Sequence, residues 1–298
     1  MTASEGFVET NSLSPPSAGR VRLHYLEWGS AGPAAAARVC VLLHATGFLA
    51  RLFEPIAEAL SGRFHVYAYD ARGHGDSDKP IEGYGWPAIA DDLKGFADAL
   101  GLTQILAIGH SSGAAGVAHL AATRPEYISK AVLIEPTVFP PMPEETAAVR
   151  RQALSSSAAR RRMVWPSREA LIRSYRQRPA FAGWRDDLLR LYAEHGTFRR
   201  EDGQIELKCP GKIEAVLYER SLSPDTWRLL PDIHCPVLVL RGDSTEQMLA
   251  MVADGVAQRI EGARLTTIAG AGHLVPMERP DAVVAEIMDF LGEGAAPK

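Results

Sequence analysis

Apolar residues along this chain fall alternately into short runs and into helical periodicities. Residues 21–28 alternate polar and apolar as a half-buried β-strand does. Residues 38–43, 64–69, 104–108 and 130–134 are short apolar runs of buried-strand length. Between them lie helical segments. Residues 51–60 stop near Gly62, residues 87–100 open on proline and close at Gly101, and residues 112–123 are built of small side chains. The pattern changes from 139 to 231, where strand-like runs are few, arginines are many, and Trp165, Trp184 and Trp227 occur. Residues 170–178 and 186–195 there read as helices. Alternation resumes with a strand at 236–240, a helix at 245–260, a strand at 264–268 and a helix at 280–291.

Strands alternating with helices predict an α/β fold, a mostly parallel, doubly wound sheet with helices on both faces. The expected organisation is a core of residues 21–138 and 232–298, with a helical cap of residues 139–231 inserted between two strands. Residues 1–20, with Pro15-Pro16, read as a flexible leader. There is no internal repeat, and Ala34 to Ala37 is the one low-complexity tract.

Composition narrows the function. A chain of 298 residues, 46% hydrophobic and 23% charged, has the make-up of a globular protein that can bury a core without disulfides or structural metals. A net charge of −4 gives no electrostatic case for binding nucleic acid. No apolar run reaches the length of a membrane span, and the first twenty residues lack the apolar core of a signal peptide. Cys40, Cys209 and Cys235 are odd in number and widely spaced, and none has a histidine or second cysteine at metal-ligand spacing. The expectation is a cytoplasmic protein with reduced thiols, a small-molecule substrate, no cofactor and no metal, present as a monomer or homodimer.

The chemistry centres on Gly109-His110-Ser111-Ser112-Gly113, a G-x-S-x-G pentapeptide. Alone the pattern is short and arises by chance. Here a buried strand runs into it and a helix of small residues leaves it. A serine on so sharp a turn crowds the backbone two residues to either side, where glycine leaves room. The following helix aims its positive end at an oxygen that becomes anionic during acyl transfer.

Three more segments occur with this one. They are Leu42-Leu43-His44-Ala45-Thr46-Gly47-Phe48, Asp70-Ala71-Arg72-Gly73-His74-Gly75-Asp76-Ser77 and Gly270-Ala271-Gly272-His273. In type and order the four resemble the landmarks of the α/β-hydrolase family in its capped, serine esterase-like branch, and the resemblance runs from about residue 21 to 291. It implies an α/β-hydrolase fold and a serine hydrolase acting on an ester or similar acyl bond of a small, largely apolar substrate. Ser111 would be the nucleophile and His273, after the last strand, the general base. A serine at 111 argues against the branches that run on aspartate there. The same triad could also serve carbon–carbon, lactone or perhydrolysis chemistry, and a slow-turnover receptor is a further alternative.

The acid that orients His273 is open among three residues. The usual family position follows the strand ending at Leu240, where spacing favours Glu246 over Asp243. A minority of the family places it one strand earlier, where Glu135 stands 24 residues after Ser111. A carboxylate ending a buried strand is costly without a partner, which makes Glu135 the preferred candidate, then Glu246, then Asp243. The resemblance also implies an oxyanion hole from the backbone N–H groups of Ser112 and Thr46, although the family's usual glycine after the histidine is Ala45 here.

Other patterns carry less. Gly73-His74-Gly75 lacks the third glycine of a dinucleotide loop, since Asp78 stands there. Arg241-Gly242-Asp243 spells an adhesion tripeptide at the end of a buried strand. Arg160-Arg161-Arg162 and the other arginines of the insertion fit either a solvated helix face or recognition of an acidic substrate. Aromatics such as Phe139, Trp165, Tyr175, Phe181, Trp184 and Tyr192 either line a pocket or pack the insertion onto the core.

Overall fold

The computed structural model describes residues 2–11, 20–29, 38–222 and 225–292. In chain order the core elements before the insertion are β1 (Ser4–Asn11), β2 (Arg20–Trp28), β3 (Val39–Leu43), α1 (Glu54–Leu60), β4 (His65–Tyr69), α2 (Trp86–Leu100), β5 (Ile105–His110), α3 (Ser112–Thr123) and β6 (Ile128–Ile134). The insertion supplies α4 (Glu144–Ala159), β7 (Val164–Trp165), α5 (Arg168–Arg176), α6 (Pro179–Ala182), α7 (Asp186–His195), β8 (Thr197–Arg199), β9 (Ile205–Leu207), α8 (Gly211–Arg220) and α9 (Asp225–Leu229). The core then resumes with β10 (Val237–Gly242), α10 (Gln247–Arg259), β11 (Arg264–Ile268), α11 (Val275–Glu278) and α12 (Pro280–Phe290).

Eight strands form one sheet in the order β1-β2-β4-β3-β5-β6-β10-β11. The pairs β1/β2 and β2/β4 are antiparallel, and every pair from β4 onward is parallel. The apolar runs explain why helices cover both faces. Val39, Val41 and Leu43 face the side packed by α2 and α3, while Cys40 and Leu42 face the side packed by α1 and α12. Ile105 and Ala107 against Leu106 and Ile108 repeat this, as do Val237 and Val239 against Leu238 and Leu240. A two-residue period with both phases apolar is the mark of a strand buried on both faces.

Two expectations need correction. Residues 4–11 are no leader, because β1 pairs with β2 along its whole length as an edge strand. Its polar composition hides a two-residue period in which Val8 and Thr10 turn inward while Phe7 and Glu9 face out. Pro15-Pro16 and Ala34 to Ala37 lie outside the described residues. The insertion is not wholly helical either, since β7, β9 and β8 form a small antiparallel sheet. Those strands are two or three residues long, too short for a periodic signal. Segment 139–231 lies between β6 and β10. Its aromatics Trp165, Tyr175, Trp184 and Tyr192 pack with Leu49, Leu52, Leu274 and Met277 of the core. No described helix is long and apolar enough to cross a membrane.

Candidate active site

The parallel strands deliver their carboxyl ends to one edge of the sheet, where open α/β sheets place their sites. Ser111 follows β5 directly, with φ +54° and ψ −111°. A Cβ at Gly109 would stand 2.4 Å from the backbone of Gly113, and one at Gly113 would stand 2.4 Å from the Leu43 carbonyl oxygen. Both glycines are therefore required by close backbone approach, and Gly113 presses the turn against the end of β3. Among the described residues only Gln104, Ser111 and Glu135 are non-glycine residues at positive φ. Backbone strain of this kind, about 1–3 kcal/mol per residue, persists where the surroundings over-determine it.

His273 joins the two strained residues in a hydrogen-bonded line. Its Nε2 lies 3.1 Å from Ser111 Oγ and its Nδ1 3.0 Å from Glu135 Oε2. With a carboxylate accepting at Nδ1, the ring proton sits on Nδ1 and leaves Nε2 free to accept from the serine hydroxyl. Glu135 has a fully buried side chain. Its Oε1 accepts from the Gly242 N–H at 2.7 Å, and its Oε2 also accepts from the Thr245 hydroxyl at 2.9 Å. Three donors thus meet one buried carboxylate, the condition under which its charge is tolerated.

The other two candidate acids lie outside this line. Glu246 is exposed at the N-cap position of α10, with Oε1 3.6 Å from Arg150 Nη1. Asp243 is exposed and accepts from the Gly270 N–H at 2.9 Å and the Ser244 hydroxyl at 2.9 Å. β6 and β10 are parallel neighbours, so their carboxyl ends reach the same place. Glu135 fills it from β6, and β10 supplies donors, Gly242 and Thr245, where spacing favoured an acid. A Cβ at Gly242 would lie 2.1 Å from the Ala271 carbonyl oxygen, so glycine there lets β10 approach the histidine loop.

A family model for the alpha/beta hydrolase family matches residues 40–286. The chain belongs to that family. Among its curated relatives is 2-(acetamidomethylene)succinate hydrolase of Mesorhizobium japonicum, 29% identical over 276 residues and 92% of each chain. Another is N-formylmaleamate deformylase of Pseudomonas putida, 28% identical over 284 residues, 92% of this chain and 94% of the other. A crystal structure of E-2-(acetamidomethylene)succinate hydrolase superposes with a TM-score of 0.79 at 24% identity, covering 97% of this chain and all of that one, a likeness of fold. The chain is an enzyme, a hydrolase.

In this hydrolase the loop after β3 is braced by histidines. His44 Nε2 accepts from the Ala71 N–H at 2.9 Å, so its Nδ1–H donates to the Ala45 carbonyl at 2.8 Å. His74 Nε2 accepts from the Gly47 N–H at 2.9 Å and its Nδ1–H donates to the Arg72 carbonyl at 3.0 Å. Each ring needs one bare nitrogen for these bonds and is neutral. Burial, reinforced by the neighbouring His44, pulls His74 down to about 3. Burial likewise lowers His44. Asp70 completes the brace, accepting from the Ala50 N–H at 2.7 Å, the Asp76 N–H at 3.0 Å and His24 Nδ1 at 2.8 Å. Motif residues 70–77 therefore hold the 44–50 loop in place.

His110 braces the catalytic histidine candidate itself. Its Nε2–H donates to the His273 carbonyl at 2.9 Å, and burial, with the nearby His273, pulls its ring down to about 3. From the insertion, Arg161 binds Glu214 at 2.5 Å through Nη1, and the Tyr175 hydroxyl at 3.1 Å and the Tyr192 hydroxyl through Nη2. This pair rests on the same loop, for a Cβ at Gly47 would meet Glu214 Oε1 at 3.1 Å and Arg161 Nη1 at 3.3 Å. Sequence reasoning missed Thr245, Gly242 and Glu214 altogether. The position of His110 inside the serine pentapeptide was the one available signal for its role.

Proposed function

We propose that this hydrolase cleaves an ester or related acyl bond of a small molecule through an acyl-enzyme intermediate on Ser111. The observation that carries the reading is the hydrogen-bonded line from Ser111 through His273 to buried Glu135. A serine hydroxyl is a weak nucleophile near neutral pH until a base takes its proton. In the proposed reaction His273 Nε2 removes that proton as Oγ attacks the carbonyl carbon. The imidazolium formed is held by Glu135 and then gives the proton to the leaving group as the carbon–heteroatom bond breaks. Water enters, loses a proton to the same nitrogen, and attacks the acyl-enzyme, releasing the acid and restoring Ser111.

The tetrahedral oxyanion would rest on the N–H of Ser112, which as the first residue of α3 has no intrahelical acceptor, and on the N–H of Thr46. Gly47 and Phe48 are poor alternatives to Thr46, since their N–H groups go to His74 and to the Ala45 carbonyl. The insertion serves as the cap, packed on both the 44–52 loop and residues 274–277. The two relatives are named for hydrolysis of 2-(acetamidomethylene)succinate and deformylation of N-formylmaleamate, so the related acyl bond includes an amide as well as an ester.

A fluorophosphonate probe tests this. It should label Ser111, identified by mass spectrometry, and abolish turnover of a para-nitrophenyl ester, while Ser111→Ala takes no label. An adduct elsewhere, or none on folded protein, refutes the assignment.

A further inference from the structure

We propose that Arg150 binds a carboxylate on the substrate. This rests on the acyl-transfer reading above and adds to it the charge of the molecule attacked. Arg150 belongs to α4 and reaches down to the carboxyl ends of β6 and β10. Its guanidinium stands 5.5 Å from the ring of Phe139, four residues after Glu135. Its Nη1 lies 3.6 Å from Glu246, the residue after Thr245, whose hydroxyl binds Glu135. Phe139 follows Glu135 after β6 and Glu246 follows Thr245 after β10, so the cation stands at the sheet edge that carries Glu135.

Its hydrogen bonding is incomplete. Arg150 Nε is buried with no partner among the described residues. Among the described residues the carboxylate paired with it, Glu246, is beyond hydrogen-bond length and 61% exposed. A guanidinium carries five N–H donors in a planar fork, and a buried donor left unmade is costly. Four other arginines of the insertion contrast with it. Arg161 is neutralised by Glu214 and held by two tyrosines. Arg151 is paired with Glu144, Arg176 with Asp186, and Arg185 with Asp187. These are structural pairs with close partners, whereas Arg150 has Nε unpaired and its carboxylate neighbour 3.6 Å away.

Glu246 is the weak competitor that a ligand would displace. An exposed ion pair contributes little, because water screens both charges. A substrate carboxylate enclosed under the insertion can take the fork in bidentate fashion, the strong form of the contact. Binding through a remote carboxylate also fixes the acyl carbon relative to Ser111, so its effect appears in kcat/KM.

The experiment compares two para-nitrophenyl esters of similar size, the hydrogen succinate and the pentanoate, on the parent, Arg150→Met and Glu246→Gln. In the parent, kcat/KM should favour the anionic ester. Arg150→Met should lower the ratio of anionic to neutral kcat/KM by about 10–100-fold, the scale of one lost charge-assisted contact. Glu246→Gln should raise that ratio by removing the competing anion. Calorimetric titration with succinate gives a readout independent of turnover, with binding in the parent and at least tenfold weaker binding in Arg150→Met. An unchanged ratio with neutral-ester turnover and Ser111 labelling intact overturns this inference alone. Succinate binding lost in Arg150→Met, without label on Ser111, supports the carboxylate site and removes the acyl-enzyme. Equal succinate binding by parent and Arg150→Met, or none by either, overturns the site.

Discussion

Replacing Glu135 by glutamine changes one atom and asks what the carboxylate does. The Gly242 N–H, 2.7 Å from Oε1, demands an oxygen there, so the glutamine amide must place its NH₂ where Oε2 was. That group then faces Thr245 and His273, which lay 2.9 and 3.0 Å from Oε2. The threonine hydroxyl can rotate and accept. The imidazole cannot keep its proton on Nδ1 against a donor, so it moves to Nε2, facing Ser111, and the proposed base is gone. The expected loss of turnover is about 10⁴, the scale of this tautomer error in serine hydrolases. At about 1.36 kcal/mol per tenfold, that is roughly 5–6 kcal/mol of barrier. Stability should fall by only about 1–2 kcal/mol, because the amide keeps the shape and the Gly242 bond. Steady-state hydrolysis of a para-nitrophenyl ester, paired with scanning calorimetry, reads both quantities. Turnover within tenfold of the parent in folded Glu135→Gln refutes the reasoning, as does a comparable loss in Glu246→Gln.

The buried histidines make the fold sensitive to acid. His74 and His110 are held at about 3 against an ordinary value of 6.5, so between those limits the unfolded chain takes up protons that the folded protein refuses. Their contribution is complete above 6.5 and declines as pH falls, by about 2 kcal/mol each at pH 5. His24 acts in the opposite sense, because Asp70 raises it against the effect of burial. Urea midpoints measured from pH 8 to 5 should fall, and less steeply in His74→Gln; a flat profile in the parent contradicts the neutral-histidine brace. Arg72 and Asp92, each with a side chain 1% exposed, form a two-point pair through Nε and Nη2 at 2.6 Å. Arg72→Met should cost about 3–5 kcal/mol in urea unfolding by stranding the Asp92 charge, and adding Asp92→Leu should restore most of it; additive losses would refute the pairing.

Much of this was legible from residue order. The buried strands announced themselves because apolar residues fill both phases of their two-residue period, and α2 closed at Gly101, which has φ +65°. Ser111 and His273 could be singled out because the serine turn needs glycine at fixed offsets and the histidine sits in a glycine loop after the last strand. The candidate acid is harder to read. Two adjacent parallel strands end at the same point, and only three-dimensional pairing decides which one brings a carboxylate and which brings donors. β1 escaped because an edge strand exposed on one side can be largely polar. The contact of Glu214 with Gly47 spans 167 positions of sequence, and no local pattern encodes it.

The seat of Arg161 and Glu214 on Gly47 has an evolutionary consequence. The segment between β6 and β10 looks like a detachable module, the part a lineage could exchange to acquire new substrates. Yet Tyr192 and the Arg161–Glu214 pair press on the loop that carries Thr46, and a side chain at Gly47 would crowd them, with a Cβ 3.1 Å from Glu214 Oε1 and 3.3 Å from Arg161 Nη1. A transplanted module that left that spot unfilled would remove the support of the loop that carries Thr46, the proposed oxyanion donor. With Thr46 in its proposed role, selectivity and rate are coupled here, through a glycine 114 residues before Arg161 and 167 before Glu214.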